Sequence, residues 1–198
     1  CRDFFLEKKD LKNIYKPRPK YSHKGDYGHA LIVSGSKGMI GATALMAKAC
    51  LRTGVGLLTI HAPNCAYDIL QATIPEAMIQ CDEENNHISS IPFDKKHCIG
   101  VGPGIGKNKK TINALSELLN EVNTSLLLDA DALNIIAAKN NLISKIPKNS
   151  ILTPHKKEAA RLLNTSIKDW ELHEKAREFA IKHQVYFVLK GAHSQIHC

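Results

Sequence analysis

His29–Ile60, HALIVSGSKGMIGATALMAKACLRTGVGLLTI, is the stretch from which the rest of the chain can be read. Ala30–Val33 is an apolar run of buried-strand length. Glycines follow at 35, 38 and 41, a residue type that lets backbone approach a ligand closely. Ala42–Thr53 reads as a helix, with Leu45, Ala49 and Arg52 on one face and Ala44, Lys48 and Leu51 on another. Gly54 and Gly56 end it, and Val55–Ile60 begins a second strand. Strand, glycine loop, helix and strand make a βαβ unit whose loop feeds a helix N-terminus, a place where backbone N–H groups hold anions. The spacing is not that of the dinucleotide fingerprint, because Gly35, Gly38 and Gly41 are evenly spaced. Nor is there a Walker loop: Gly106-Lys107 is preceded by Val101 at the first glycine position and followed by Asn108. The loop is thus either an anion-binding turn or a turn that lets the helix pack on the sheet.

The 198 residues suit one α/β domain with a sizeable core. A net charge of +8 invites a polyanion, but the lysines are scattered and no basic block is interleaved with aromatics, so nucleic acid is not expected as a partner. No apolar run approaches the ~20 residues of a membrane span, so no membrane partner is expected. The 6 cysteines form no Cys-x-x-Cys pair and no zinc spacing with the histidines. Cys50 and Cys98 sit in apolar segments and read as small core residues, and a reducing, cytoplasmic setting is expected. A chain that begins at Cys1 and stops at Cys198 is expected to be a piece of something longer.

Residues 1–22 read as a lead-in or linker and 23–198 as the folded domain. Phe4–Tyr15 is a short helix candidate, Lys16–Lys20 a proline-stiffened tether, and Lys24–Gly28 a turn into the first strand. Helices are expected at Pro63–Thr73, Lys107–Val122, Ala132–Ala138 and Asp169–His183, the last with Trp170, Ala176, Phe179 and Ala180 inward. Thr153-Pro154 reads as N-cap and first residue of one more. Strands are expected at Glu76–Gln80, His97–Val101, Ser125–Leu128, Ser150–Leu152 and, last, Val185–Leu189, with Cys81–Phe93 a polar surface loop. This alternation predicts a mainly parallel sheet covered on both faces.

The glycine runs at 35–41 and 102–106, Asp129, His155 and Lys190 each follow an apolar strand directly. In a parallel sheet such positions gather along the C-terminal edge of the strands, where open α/β sheets bind ligands. Gly102-Pro103-Gly104-Ile105-Gly106 either turns backbone N–H groups toward a ligand or is a plain strand-to-helix turn. Asp129 and Asp131 can hold a magnesium ion through water or accept from sugar hydroxyls, although Asp131 is explained as well by helix capping. His155, as second residue of its helix, can donate to a polar or anionic ligand, or serve only as a cap. Lys190 is a point charge suited to phosphate, beside Gly191, and His193 and Ser194 add donors.

Five segments in order, HKGDYGHALIVSGSKGMIGATALMAKACLRTGVGLLTI, VGPGIG, LLLDADALN, LTPHKKEAARLL and VLKGAH, resemble the nucleotide-dependent NAD(P)H-hydrate dehydratases of the ribokinase-like superfamily. The resemblance covers nearly everything from residue 23 onward. It implies a ribokinase-like three-layer sandwich with a mainly parallel sheet, here truncated at the C-terminus, and a basic lead-in like the linker to an epimerase that often precedes this domain. The implied substrates are the S-epimers of NADHX and NADPHX, the hydrated forms of NADH and NADPH, with ADP or ATP as co-substrate and Mg²⁺ as cofactor. Ala42, Gly102, Gly104, Asp129 and His155 would contact the hydrated dinucleotide, and Lys190, Gly191, Ala192, His193 and Ser194 the phosphate donor. A homo-oligomer is also implied.

Two departures stand out. Lys157 precedes Glu158 where many members of that family have glycine. The family's glycine-rich anion hole, closing on the aspartate thought to activate the substrate hydroxyl, is expected beyond Cys198, so no catalytic base is named and the segment alone is expected to be inactive. The competing expectations are a ribokinase-like kinase of a vitamin or sugar alcohol, and a nucleotide-binding module without turnover.

Overall fold

A computed structural model describes residues 5–93 and 98–198. The lead-in carries one exposed helix, α1 (Lys8–Ile14), within the span expected for it; Phe4 and His97 lie outside the described residues. The tether is anchored, since the Arg18 guanidinium donates to Gly54 O at 2.6 Å and lies 3.9 Å from the centre of the Tyr27 ring.

The domain follows as β1 (His29–Val33), α2 (Ile40–Thr53), β2 (Leu57–Ala62), α3 (Tyr67–Thr73), β3 (Met78–Cys81), β4 (Cys98–Val101), α4 (Lys109–Glu121), β5 (Leu126–Leu128), α5 (Asp131–Ala138), β6 (Ile151–Leu152), α6 (Lys156–Leu162), α7 (Asp169–His183), β7 (Tyr186–Leu189) and β8 (Gln195–His197). The sheet order is β3-β2-β1-β4-β5-β6-β7-β8, parallel throughout except where β8 returns antiparallel to β7. β7 is therefore not the last strand. The β8 run, Gln195-Ile196-His197, is too short and mixed to announce itself by periodicity, and it exists only because it pairs with β7.

Alternation along the strands sorts side chains onto two faces. Leu31, Val33, Ile99, Val101, Leu126, Leu128, Leu152, Phe187 and Leu189 meet α4, α5, α6 and α7 in the larger core. Ala30, Ile32, Leu58 and Ile60 point the other way and meet Ile40 and Ala47 of α2 and Leu70 of α3. Full burial of one such Leu or Ile side chain is worth ~1.5–3 kcal/mol. No described helix is long and apolar enough to cross a membrane.

Several expectations need correction. Trp170 is not inward but 72% exposed; the buried stripe of α7 is Leu172, Ala176, Phe179 and Ala180, and Trp170 falls outside that spacing. Cys98 is exposed rather than core, because it faces the side of β4 away from the larger cluster, and Cys50 is only half-buried. The segment 81–93 is more than a polar surface loop: Asp82 and Ile88 within it are buried, and Ile88 belongs to the larger core. Thr153-Pro154 does not start a helix; α6 begins two residues later, with His155 as its N-cap.

Candidate functional site

Sequence-distant segments meet at the C-terminal edge of β1, β4, β5, β6 and β7. Ser34 Oγ donates to Pro103 O at 2.5 Å, Gly35 N to the same oxygen at 3.0 Å, and Ser36 Oγ to Gly104 O at 2.8 Å. The two glycine loops are thereby sewn together. A Cβ on Gly104 would stand 3.3 Å from Ala42 Cβ and 3.1 Å from Met39 O, so the second loop rests on the first turn of α2. Gly104 has φ +70° and Gly102 φ +140°, and a Cβ at Gly102 would strike Asp129 O at 1.8 Å. Only glycine fits there.

The Gly102–Gly106 loop offers a ligand fewer donors than its composition suggests. Gly102 N donates to Val33 O, Ile105 N to Gly102 O, and Gly106 N to Asp131 Oδ2. Among the described residues, Gly104 N has no partner. α2 adds others: its N-cap, Met39, makes no side-chain cap, its first turn holds no acid, and Gly38 and Gly41 N–H groups are unpartnered among the described residues. An uncapped N-terminus of a helix this long carries partial positive charge toward the crevice.

Asp131 is the first residue of α5, not its N-cap, which is Ala130, and its carboxylate holds Gly106. Ala130 itself sits at φ +50°, ψ −116°, a conformation that costs a non-glycine residue ~1–3 kcal/mol. That elbow lets adjacent carboxylates serve opposite sides, Asp131 toward Gly106 and Asp129 toward the end of β7. There Lys190 Nζ donates to Asp129 Oδ1 at 2.7 Å. Lys190 also pairs in register with His155 across the β6–β7 junction, and its N–H donates to Pro154 O at 2.9 Å.

His155 is more firmly engaged than expected. Its Nδ1 accepts from Lys157 N at 3.1 Å and Glu158 N at 3.4 Å, while Glu158 Oε2 accepts from His155 N at 2.9 Å. This closes a capping box in which Glu158 is buried. The tautomer follows: the neutral ring carries its proton on Nε2, 3.3 Å from Glu158 Oε1. The expected donor is chiefly a cap, with only the Nε2 edge left to turn outward. Lysine at 157 is accommodated within the first turn of α6. Gly191, Ala192, His193 and Ser194 form the exposed loop between β7 and β8, at the same edge as Lys190.

The expected magnesium site can be tested on the donors. Among the described residues, no three His, Cys, Asp or Glu side chains gather to cage an ion. Asp129 and Asp131 are engaged by Lys190 and Gly106. This donor set suits a cation that arrives on phosphate oxygens and borrows at most one carboxylate. Two surface concavities lie elsewhere, one beside Ile143, Leu163, Phe179 and His183, the other beside Asn123, Ser125, Pro147 and Asn149 at the opposite edge of the sheet. Neither contains any of the glycine loops, Asp129 or Lys190. Ser34, Ser36 and Ala130 are the parts the sequence did not reveal; a small hydroxyl just after a strand was the only trace of the two serines.

Known proteins resemble this arrangement from end to end. The chain is 32% identical over 196 residues to the ADP-dependent (S)-NAD(P)H-hydrate dehydratase of Staphylococcus aureus, covering 97% of this chain and 69% of that protein. It is 33% identical over 194 residues to the bifunctional NAD(P)H-hydrate repair enzyme Nnr of Thermofilum pendens, covering 91% of this chain but 36% of the relative. The chain thus spans about a third of the length of such bifunctional relatives. Among solved structures, the ADP/ATP-dependent NAD(P)H-hydrate dehydratase of Bacillus subtilis, co-crystallised with ATP/Mg²⁺, superposes with a TM-score of 0.75 at 27% identity, covering 91% of this chain and 64% of that one. A ribokinase-like superfamily protein of Enterococcus faecalis shares the fold, with a TM-score of 0.80 at 24% identity over 97% of this chain and 67% of that one. A sequence model of one family runs from the first buried strand to the final hairpin, residues 30–197, through every loop of the crevice: the chain belongs to the NAD(P)H-hydrate dehydratase family.

Proposed function

We propose that this chain supplies the substrate- and nucleotide-gripping part of an ADP- or ATP-dependent dehydratase that returns NADHX and NADPHX to NADH and NADPH. The observation that carries the proposal is the edge itself, where two sewn glycine loops face the Asp129–Lys190 pair across the ends of β5 and β7. Gly104, Ala42 and the Nε2 edge of His155 would line the hydrated dinucleotide, with Asp129 accepting from a hydroxyl. Lys190 and the loop from Gly191 to Ser194 would receive the phosphates of the donor. The free N–H groups of Gly38, Gly41 and Gly104 give an anion fixed dipoles that need no reorganisation.

The chemistry is a phosphoryl transfer to the ring hydroxyl, followed by loss of phosphate with push from the ring nitrogen. Its demands are positioning and neutralisation of charge rather than covalent help. Mg²⁺ bound to the nucleotide would share the negative charge of the phosphates, with Asp129 as the nearest carboxylate on offer. Both carboxylates of the edge are engaged, so this chain by itself is expected to bind its ligands without turning them over. Residues 1–22 are proposed to act as a linker, and a reducing, cytoplasmic setting suits the free thiols.

Calorimetric titration tests the reading. The chain is expected to bind ADP or ATP with Mg²⁺, and separately the S-epimer of NADHX. When the chain's gene is expressed with whatever coding sequence adjoins it, the product is expected to restore NADH absorbance only with ADP or ATP present. Binding of a vitamin or sugar alcohol instead of the hydrated dinucleotide would transfer the site to a ribokinase-like kinase.

A further inference from the structure

Residues 82–90 carry no regular structure, yet they enclose the best-satisfied carboxylate among the described residues. Asp82 is 3% exposed. Its Oδ1 accepts from Glu84 N at 2.9 Å and Ser89 Oγ at 2.7 Å; its Oδ2 accepts from Ser89 N at 2.8 Å and Ser90 N at 3.1 Å. His61, itself 1% exposed on β2, places Nε2 3.2 Å from Asp82 Oδ2 and 2.8 Å from Ser90 O. Both neighbours accept, so the proton is on Nε2 and the imidazole clips both ends of the loop together. A carboxylate that gathers this many donors dictates the loop's path as a metal ion would.

What the loop holds gives it a role. Asn86 O accepts from Lys37 N at 2.9 Å, inside the first glycine loop. Ile88 O accepts from the buried Thr111 Oγ at 2.7 Å, in the first turn of α4 and just beyond the second glycine loop. Glu84 reaches Lys110 in that same turn. One loop therefore grips the first glycine run from within, at Lys37, and the chain just beyond the second, at Lys110 and Thr111, while Ser34 and Ser36 join the runs at the crevice.

We propose that Asp82, clipped by His61, is a positioning residue that holds the two glycine loops in one frame and so sets the geometry of the dinucleotide side of the crevice. The proposal rests on the functional reading above for its ligand, but not for its first test. That test is hydrogen exchange on this chain. In Asp82→Ala, amide exchange at Lys37, Gly102, Ile105 and Gly106 should rise about tenfold or more, while Leu152 and Phe187 in β6 and β7 hold their rates. Asp82→Asn, which keeps one acceptor oxygen but turns an NH2 toward the donors on the other, should recover only part of the protection. Thr111→Val, which removes the Ile88 tie to α4 and spares both Glu84–Lys110 and the tie to Lys37, should loosen Gly106 and leave Lys37 unchanged; it decides the matter if Asp82→Ala does not fold.

The second test measures affinity well below each variant's own melting temperature. Asp82→Ala should lose about tenfold or more for NADHX and keep its affinity for ADP or ATP at the Lys190 end, a split that a general loss of stability does not produce. Faster exchange confined to 82–90, or spread evenly across the sheet, overturns the proposal. A wild-type chain that binds neither ligand overturns the functional reading instead and leaves the exchange result to stand or fall alone.

Discussion

Over β1–β3 the second face of the sheet lies beneath α2 and α3, and Leu58 and Ile60 are sealed. Over β5–β8 the same face has no described helix upon it. Leu127 and Val188 are only half-buried there, while Ile151, Tyr186 and Ile196 are exposed, at 39%, 43% and 57%. β5, β6 and β7 are nevertheless as apolar on both sides as β1, the pattern of parallel strands meant to be covered twice. A strand's sequence therefore states how many faces suit burial, and the packing decides how many are buried. The crevice straddles the join, with glycine loops from the covered half and Lys190 from the bare one.

The sharpest way to break this contrast is a matched pair of truncations followed by denaturant melts. Ile60→Ala should cost ~2–5 kcal/mol, because it opens a cavity under α2. Ile151→Ala, at the same face of β6, should cost less than ~1 kcal/mol. Equal losses would mean that the bare half is covered in solution.

Next in size is the join. Lys190→Ala should weaken ADP or ATP binding about tenfold, the loss expected for one charge-assisted hydrogen bond to phosphate. Its melting temperature should move little, since the pair with Asp129 is partly open to solvent. Unchanged affinity would place the nucleotide elsewhere.

Acid sharpens the contrast on the other face, where residues 82–93 do the work of a helix. Burial pushes the Asp82 carboxyl up, but hydrogen bonds from Ser89, Glu84 and Ser90 outweigh it and leave the group below the usual carboxylate range. The folded state thus favours the anion. Its contribution is complete above the unfolded value of about 4 and is lost as pH falls through the lower folded value. Exchange at 82–90 should accelerate below that point before β6 and β7 respond; simultaneous loss would deny the loop any independence.

The smallest effect is chemical. Cys98, exposed at the start of β4, should alkylate with maleimide several-fold faster than Cys50, whose thiol is pushed up by burial and then by the neighbouring Cys98. Comparable rates measured by peptide mass spectrometry would argue against the contrast.

Much of this was legible beforehand because it is local. Ala30–Val33, Val185–Leu189 and the helix pattern at Ile112, Leu115 and Leu118 report burial through periodicity alone, and they placed Gly102, Asp129 and Lys190 at strand ends. What the sequence left open was settled by which neighbours each group meets, near or far along the chain. Trp170 looked inward until Leu172, Ala176 and Phe179 took the buried stripe. The N–H groups of Gly102–Gly106 could have faced a ligand or closed a turn; Val33, Gly102 and Asp131 take all but that of Gly104 among the described residues. His155 read as a ligand donor or a cap, and the box with Glu158 shows the cap while leaving the Nε2 edge. Asp82 passed for one acid in a polar loop, since nothing in its neighbours in sequence foretells His61.

By itself, then, the order of residues determined the alternation of strand and helix, the edge where polar groups collect, and the family in which that order recurs. Those follow from short-range preferences and from the handed, parallel connections that such preferences force. Tertiary structure alone decided which of the gathered groups remain free for a ligand, because a hydrogen bond consumed across 25 or 61 residues of chain, as in Gly106–Asp131 and Asp129–Lys190, leaves no mark on the residues beside it.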